Sequence, residues 1–355
     1  MDKVISYKCP NCAAPLVFDS KKQLMLCDSC KNTFTTEQID SFYGSGDDNA
    51  DKIEIKWTNE NNDDVLENVT VYSCPSCGAE IVADENTAAT ECLYCGNQAI
   101  IPQKLSGANK PDYIIPFKLG KNDARNTLKN FYKKKLLIPK LFKDENRIDM
   151  IKGVYVPFWL FDCDVSADMR FNAKRTHAWS DKSYNYVRTD HYIVERSGEM
   201  CFEKIPVDGS SKMQDAYMDA IEPFNYNELE SFSPSFLSGY LADKYDVGSE
   251  ESSVRANARI DESVRDAFTR TVTGYSSVTP KSCSIKTTNG KVRYALFPVW
   301  ILNTKYKDKM YTFALNGQTG KMVGRLPVDR LKFWGLLAGV FAALTAIGQI
   351  FVFLN

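Results

Sequence analysis

Two pairs of cysteines, Cys9-Pro10-Asn11-Cys12 and Cys27-Asp28-Ser29-Cys30, constrain this chain more than anything else in it. Fourteen residues separate the pairs. The same arrangement returns as Cys74-Pro75-Ser76-Cys77 and Cys92-Leu93-Tyr94-Cys95, again with fourteen residues between and with an offset of 65 from Cys9 to Cys74. A redox-active Cys-x-x-Cys needs no matched partner, and chance does not space eight cysteines identically twice. Two tight turns that each present two thiolates can close a tetrahedron around one Zn²⁺. The expected metal ligands are Cys9, Cys12, Cys27 and Cys30 for one structural zinc ion and Cys74, Cys77, Cys92 and Cys95 for a second.

The remaining cysteines, Cys163, Cys201 and Cys283, form no disulfide framework. Free thiols beside thiolate metal sites point to a reducing compartment. The N-terminus runs straight into the first cysteine pair without an apolar signal-peptide core. A formal net charge of −1 over 355 residues lacks the basic excess that marks a dominant nucleic-acid footprint.

The C-terminal end is different in kind. Phe333 to Leu354 contains no charged residue. At about 1.5 Å per residue such a helix reaches about 33 Å, enough to cross a hydrocarbon core. Arg325, Arg330 and Lys332 precede the span and only Asn355 follows it, so the positive-inside rule places the body in the cytoplasm of a single-pass protein of the cell membrane. Gly335 and Gly339 stand in the Gly-x-x-x-Gly spacing of a helix-dimer seam, which allows a homo-oligomer.

Between these ends the organisation reads as follows. Residues 1–42 form zinc ribbon 1, with strands at Leu16–Phe18 and Leu24–Leu26; residues 43–70 form an acidic linker in which Ile53–Trp57 alternates like a strand and can pair with Val69–Tyr72. Residues 71–103 form zinc ribbon 2, where Gly78 and Gly96 follow their second cysteines while the first ribbon has Ala13 and Lys31. Residues 104–329 read as an α+β domain with a weak internal repeat, and 331–354 as the transmembrane helix. In the α+β part, Asn122 or Asp123 caps a helix through Ala124, Leu128, Phe131 and Tyr132. That helix ends in Lys133-Lys134-Lys135, which with Lys140, Lys143 and Arg147 makes a basic cluster: a solvated helix end or a contact for anionic lipid headgroups. Gly153–Asp162 is a continuous apolar run. Residues 212–247 read as mainly helical, and Glu251–Thr271 as an amphipathic helix with Val254, Ala258, Ile260 or Asp261, Val264 and Phe268 at helical spacing. In the repeat, each helix precedes a tryptophan-bearing strand, Tyr155-Val156-Pro157-Phe158-Trp159 and then Phe297-Pro298-Val299-Trp300. Asn316-Gly317 and Thr319-Gly320 signal a turn between two final strands. The fold class expected is two small β zinc ribbons, then an α+β domain, then one C-terminal transmembrane α-helix.

The tandem cysteine ribbons, the two tryptophan-bearing runs, the Leu315–Gly320 turn and the terminal span together resemble a bacterial family, the YdjG-like zinc-ribbon membrane proteins. Such chains are often labelled TFIIB-type zinc-ribbon or PriA-like helicase proteins. Nothing here supports a helicase, because the chain has no Gly-x-x-x-x-Gly-Lys-Ser/Thr phosphate loop. The resemblance implies a membrane-anchored adaptor that presents its ribbons on the cytoplasmic face to an SPFH-domain or PspA-type envelope-stress protein. No enzymatic activity is expected. Four thiolates leave a zinc ion no open position, and a Cys163–histidine pair with His177 or His191 is outweighed by Cys163 as an ordinary buried thiol. The alternative is a membrane-tethered zinc-ribbon protein that binds nucleic acid, which the balanced ribbon charges and acidic linker disfavour.

Overall fold

The computed structural model describes residues 9–10, 16–19, 24–36, 38–39, 55–59, 69–84, 92–97, 101–103, 110–133 and 135–354. In chain order the strands and helices are β1 (Leu16–Asp19), β2 (Leu24–Cys27), β3 (Thr33–Phe34), β4 (Thr58–Asn59), β5 (Val69–Ser73), β6 (Glu80–Asp84), β7 (Ile101–Gln103), β8 (Tyr113–Ile114), α1 (Lys121–Lys133), α2 (Glu145–Ile148), β9 (Lys152–Ser180), β10 (Asn185–Asp208), α3 (Asp215–Ile221), β11 (Glu230–Ser231), β12 (Leu241–Asp243), α4 (Ser249–Thr271), β13 (Ser277–Tyr306), β14 (Lys309–Asn316), β15 (Met322–Gly324) and α5 (Arg330–Leu354). The body between the cysteine clusters and the last helix is rich in sheet.

The chain divides into two compact units, and the long strands contribute to both. One unit contains Met1–Thr58, Asp162–Glu203 and Val254–Lys291. It holds the small antiparallel sheet β1-β2-β3, in which Leu16 faces Cys27 and Met25 faces Phe34. It also holds the outer parts of β9, β10 and β13. Along β9 the burial follows the residue types. Cys163, Val165, Ala167, Met169, Phe171 and Ala173 are buried and alternate with more exposed positions, the period of a sheet covered on one face. From Lys174 to Ser180 every residue is exposed, so β9 and β10 end as a two-stranded ribbon. Trp179 stacks on Tyr186 there at 5.5 Å. In α4 the buried side chains are Ala256, Ile260, Val264 and Phe268, one every four residues. Ile260, Val264 and Phe268 are buried as expected, whereas Val254 and Ala258 are exposed and Ala256 is buried in their stead. Small polar Ser252 is buried as well.

The other unit contains Asn59–Phe161, Lys204–Ser253 and Val292–Asn355. Here β9 is buried from Val154 to Phe161 and β13 from Tyr294 to Leu302, which explains why both runs are apolar without alternation. Phe158 and Phe297 stack at 4.5 Å in the centre. The surrounding elements are exchanged between two similar halves. β8 runs parallel to β13, with Tyr113 opposite Ala295, while β12 runs parallel to β9, with Leu241 opposite Val154. The Trp159 indole N–H donates to the Val247 carbonyl at 2.9 Å, and the Trp300 indole N–H donates to the Leu119 carbonyl at 3.0 Å. Gly209 N–H donates to the Pro157 carbonyl and Gly317 N–H to the Pro298 carbonyl. The carbonyl of Gly209 in turn accepts from Asp246 and Val247, and that of Gly317 from Lys118 and Leu119. α1 buries Ala124, Leu128 and Tyr132 in a second cluster with Trp300, Phe313 and Leu315.

Two expectations fail for local reasons. Residues 212–247 are not mainly helical: only α3 is an α-helix, followed by short 3₁₀ turns and by β11 and β12. Pro223, Pro234 and Gly239 interrupt the apparent periodicity, and Leu241–Asp243 gains a ladder against β9 instead. Residues 55–57 are not a strand, and Val69–Ser73 pairs with β6 and β7, not with the Ile53–Trp57 segment, of which 53 and 54 lie outside the described residues.

The two donor glycines differ in clearance, which sets an order of mutational cost. A Cβ at Gly317 would lie 2.6 Å from the Phe117 ring and 2.9 Å from Pro298, whereas at Gly209 it would lie 3.0 Å from the Trp159 indole nitrogen. Gly317→Ala is expected to destabilise the protein by about 2–3 kcal/mol and Gly209→Ala by about 1 kcal/mol. Denaturant unfolding of the detergent-solubilised chain followed by tryptophan fluorescence measures both, and equal effects would refute the exchange geometry as the cause.

Candidate metal centres

Each cysteine knuckle is built by backbone hydrogen bonds that follow from the Cys-x-x-Cys turn. In the second cluster Gly78 N–H donates to the Cys74 carbonyl at 2.8 Å, and Gly96 N–H donates to the Cys92 carbonyl at 3.0 Å. The return bonds, Cys74 N–H to Ala79 and Cys92 N–H to Asn97, close each turn at 2.9 and 2.8 Å. This closure requires a positive φ after the second cysteine, and Gly78 (69°) and Gly96 (73°) supply it. The knuckle at Cys27 and Cys30 has the same bonds, Lys31 N–H to the Cys27 carbonyl and Cys27 N–H to Asn32, both at 2.9 Å. There Lys31 adopts φ 58°, a conformation that costs an L-residue about 1–2 kcal/mol.

These turns bring the sulfurs together. Cys74, Cys77, Cys92 and Cys95 have their Sγ atoms within 4.8 Å of one another, and so do Cys9, Cys27 and Cys30. Cys12, the expected fourth ligand of the first cluster, lies outside the described residues. The sulfurs of Cys74 and Cys95 and of Cys77 and Cys92 stand 3.6 Å apart, and those of Cys9 and Cys30 3.5 Å. Four thiolates at about 2.3 Å from a tetrahedral Zn²⁺ stand about 3.8 Å apart. Both the donor chemistry and the spacing therefore fit a metal ion and are compatible with zinc.

The electrostatics of the second cluster point the same way. Burial works against ionisation of Cys74, yet N–H groups of Cys77 and Ser76 directed at its sulfur outweigh it and bring the thiol down to about 7. Burial pushes Cys92 up to about 12 and raises Cys77. Four thiolates crowd one another unless a cation neutralises them.

The second cluster is fastened into the body. Cys74, Ala79, Cys92 and Leu93 belong to the same buried cluster as Phe158 and Phe297. β6 pairs with β12, Val82 opposite Ala242. The Asn303 amide donates to the carbonyls of Leu93 at 2.7 Å and Tyr94 at 3.3 Å, and Thr312 Oγ1 donates to Asn303 Oδ1 at 2.6 Å. Asn303 was not singled out from the sequence, where it is one polar residue in a strand. Asp243 is wholly buried, accepts a hydrogen bond from Ser210 Oγ at 2.5 Å, and is pushed up to about 7 by burial.

Cys163, His177 and His191 belong to neither cysteine group. Cys163 is buried, and burial, followed by the charges of Asp164, Cys201 and Asp162, pushes its thiol up to about 12, away from the thiolate a nucleophile needs. His177 is exposed, and His191 is lowered by burial and by Lys174. α5 is long and apolar enough to cross a membrane, with mean hydropathy 1.7 over Arg330–Gln349 and none of that window buried.

The chain is similar to YdjG of Bacillus subtilis (strain 168), an uncharacterised protein, with 35% identity over 351 residues that cover 97% of each chain. No family model matches it, and no solved structure matches it.

The strain at Lys31 generates a test confined to one cluster. Lys31→Gly is expected to stabilise the metal-bound first cluster by up to about 1 kcal/mol, the gain reduced by the greater freedom of glycine in the unfolded chain. Chelator competition on the full chain would show slower release of one metal ion and unchanged release of the other. Faster release of either would contradict the left-handed geometry.

Proposed function

The chain belongs to the YdjG family, and on that premise we propose that it is a non-enzymatic, zinc-binding adaptor anchored in the cell membrane with its body on the cytoplasmic face. The observation that carries this reading is the closure of the second cluster. Four cysteine sulfurs turned on one another suit a four-coordinate structural Zn²⁺ and offer no position for a substrate or an activated water. A metal held this way supplies folding free energy, roughly 10–16 kcal/mol for small zinc modules, and not chemistry. The raised thiol of Cys163 is of a piece with a chain that catalyses nothing.

The anchor rests on α5, an apolar helix in which no residue of Arg330–Gln349 is buried. Hydrocarbon is the solvent that suits such a surface. Arg325, Arg330 and Lys332 on its N-terminal side support the cytoplasmic orientation. For the partner, the family resemblance implies an SPFH-domain or PspA-type protein, recruited to the membrane through a ribbon surface. The nucleic-acid alternative gains nothing from the net charge of −1.

The test is affinity capture of the full chain from native membranes with metal counted on the same sample. Two zinc ions per chain and a stoichiometric SPFH-domain or PspA-type partner are expected. Cys30→Ala or Cys77→Ala should each remove one zinc ion, and the variant that damages the docking ribbon should also release the partner. Nuclease-resistant nucleic acid in place of the protein partner would overturn the adaptor reading, and recovery in the soluble fraction would overturn the anchor.

A further inference from the structure

The basic segment after α1 lies against the start of α5. The Asp329 N–H donates to the Leu137 carbonyl at 2.7 Å, and the Lys332 ammonium donates to the Ile138 carbonyl at 2.5 Å. Asp329 also caps the helix, its Oδ1 accepting from Leu331 at 3.1 Å and from Lys332 at 3.4 Å. The segment is thus fixed at the level where the apolar helix begins. Lys135 is two residues before Leu137, at most about 7 Å of chain, and Lys140 two residues after Ile138.

Three further features mark this end as a water–hydrocarbon boundary. Trp334 is 63% exposed and makes an edge contact with Phe333 at 5.7 Å, the placement of an interfacial aromatic belt. Leu136 and Leu331 are 75% and 87% exposed, apolar side chains with no protein cover beside the same contact. The lysines are exposed and carry no carboxylate partner among the described residues, because the neighbouring acids are engaged elsewhere. Glu145 pairs with Lys129 at 2.7 Å, Asp149 with Arg125 at 2.5 Å, and Asp144 caps α2 through Asn146.

We infer that Lys133, Lys135, Lys140, Lys143, Arg147 and Arg330 form a collar around the entry of α5 that binds the phosphate groups of anionic phospholipids in the bilayer the helix crosses. The inference rests on the reading of α5 as a membrane span. A solvated helix end would need the lysines of α1 only, near its C-terminal dipole. It would not account for Lys140, Lys143 and Arg147 beyond the helix, or for the docking of that segment on the span. The ligand is the phosphodiester of the headgroup, met by exposed ammonium groups that flank the docked Leu137–Ile138 segment, with exposed Leu136 beside them. Each lysine near a negatively charged leaflet strengthens the attachment of the segment to it by about fivefold, within a range of about one Debye length.

The test uses the full chain reconstituted in phosphatidylcholine vesicles containing brominated phosphatidylcholine or brominated phosphatidylglycerol. Quenching is read as the part lost in a Trp334→Phe control. Brominated phosphatidylglycerol is expected to associate near Trp334 several-fold more strongly than brominated phosphatidylcholine. The preference should fall to about equality in Lys133→Gln/Lys135→Gln/Lys140→Gln/Lys143→Gln, whose unchanged zinc content and near-ultraviolet dichroism would show an intact body. Equal association of both lipids with the wild type, or a preference that survives the fourfold variant, overturns the collar. Millimolar inorganic phosphate that abolishes the preference at constant ionic strength also overturns it, by assigning the lysines to free phosphate. No quenching of Trp334 by either lipid overturns the span itself, and with it the adaptor's anchor.

Discussion

The exchange between the two tryptophan-bearing strands governs the rest of the body. Trp159 on β9 is hydrogen-bonded to the segment leading into α4, and Trp300 on β13 to the segment leading into α1. Each half thereby supplies the strand, the helix entry and the carbonyl acceptor that the other half needs. A buried indole N–H without its acceptor would cost about 1–3 kcal/mol, so neither half is complete alone. The bonded residues are far apart in sequence: Trp159 and Val247 are separated by 88 positions and Trp300 and Leu119 by 181. Such pairing repays loop-closure entropy only late, which favours slow, concerted folding of the body over independent folding of its parts.

The two cysteine clusters have the same local chemistry in unlike surroundings. The first sits on a three-stranded sheet of two- to four-residue strands, little buried area among the described residues, so a metal held by its cysteines would be the main source of its order. In the second, Cys74 and Cys92 are part of the body's own apolar cluster, and Asn303 holds the backbone of the second knuckle. Loss of that ion exposes four sulfurs to one another at the edge of the core. Its folding free energy is thereby shared with the sheet through β6 and β12. A metal in the first cluster would order a small module, and one in the second would staple the scaffold.

How much of this was legible in the sequence depends on the range of each signal. The cysteine turns were legible because their geometry is set within five residues, and the need for glycine after the second cysteine is equally local. The apolar stretches of β9 and β13 were legible as buried strands because a strand covered on both faces needs no alternation. The change along β9 to strict alternation at Cys163–Ala173 and then to full exposure is written in the residue types too. The region from 212 to 247 misled because spacing of apolar residues cannot reveal a two-residue parallel ladder, whose partner lies about ninety positions away. The face of α4 was legible at Ile260, Val264 and Phe268 but not in its first turns, for a related reason: Val254 looks like a core residue and Ser252 does not, and only the neighbours decide. Asn303 carried no signal at all, because its value comes from two carbonyls that the fold brings to it.

Charge shows the same division between sum and arrangement. A net charge of −1 describes a chain whose acids and bases are segregated: acidic residues concentrate in 43–70, and basic ones in 133–147 and at 325–332. What a surface can bind depends on the potential within about 10 Å, and charges farther away are screened. The lysines at the entry of α5 act undiluted because the carboxylates nearest them are held by Lys129, Arg125 and a helix cap. A near-neutral total speaks against a continuous polyanion track along the molecule. It places no limit on a local basic cluster such as that of residues 133–147.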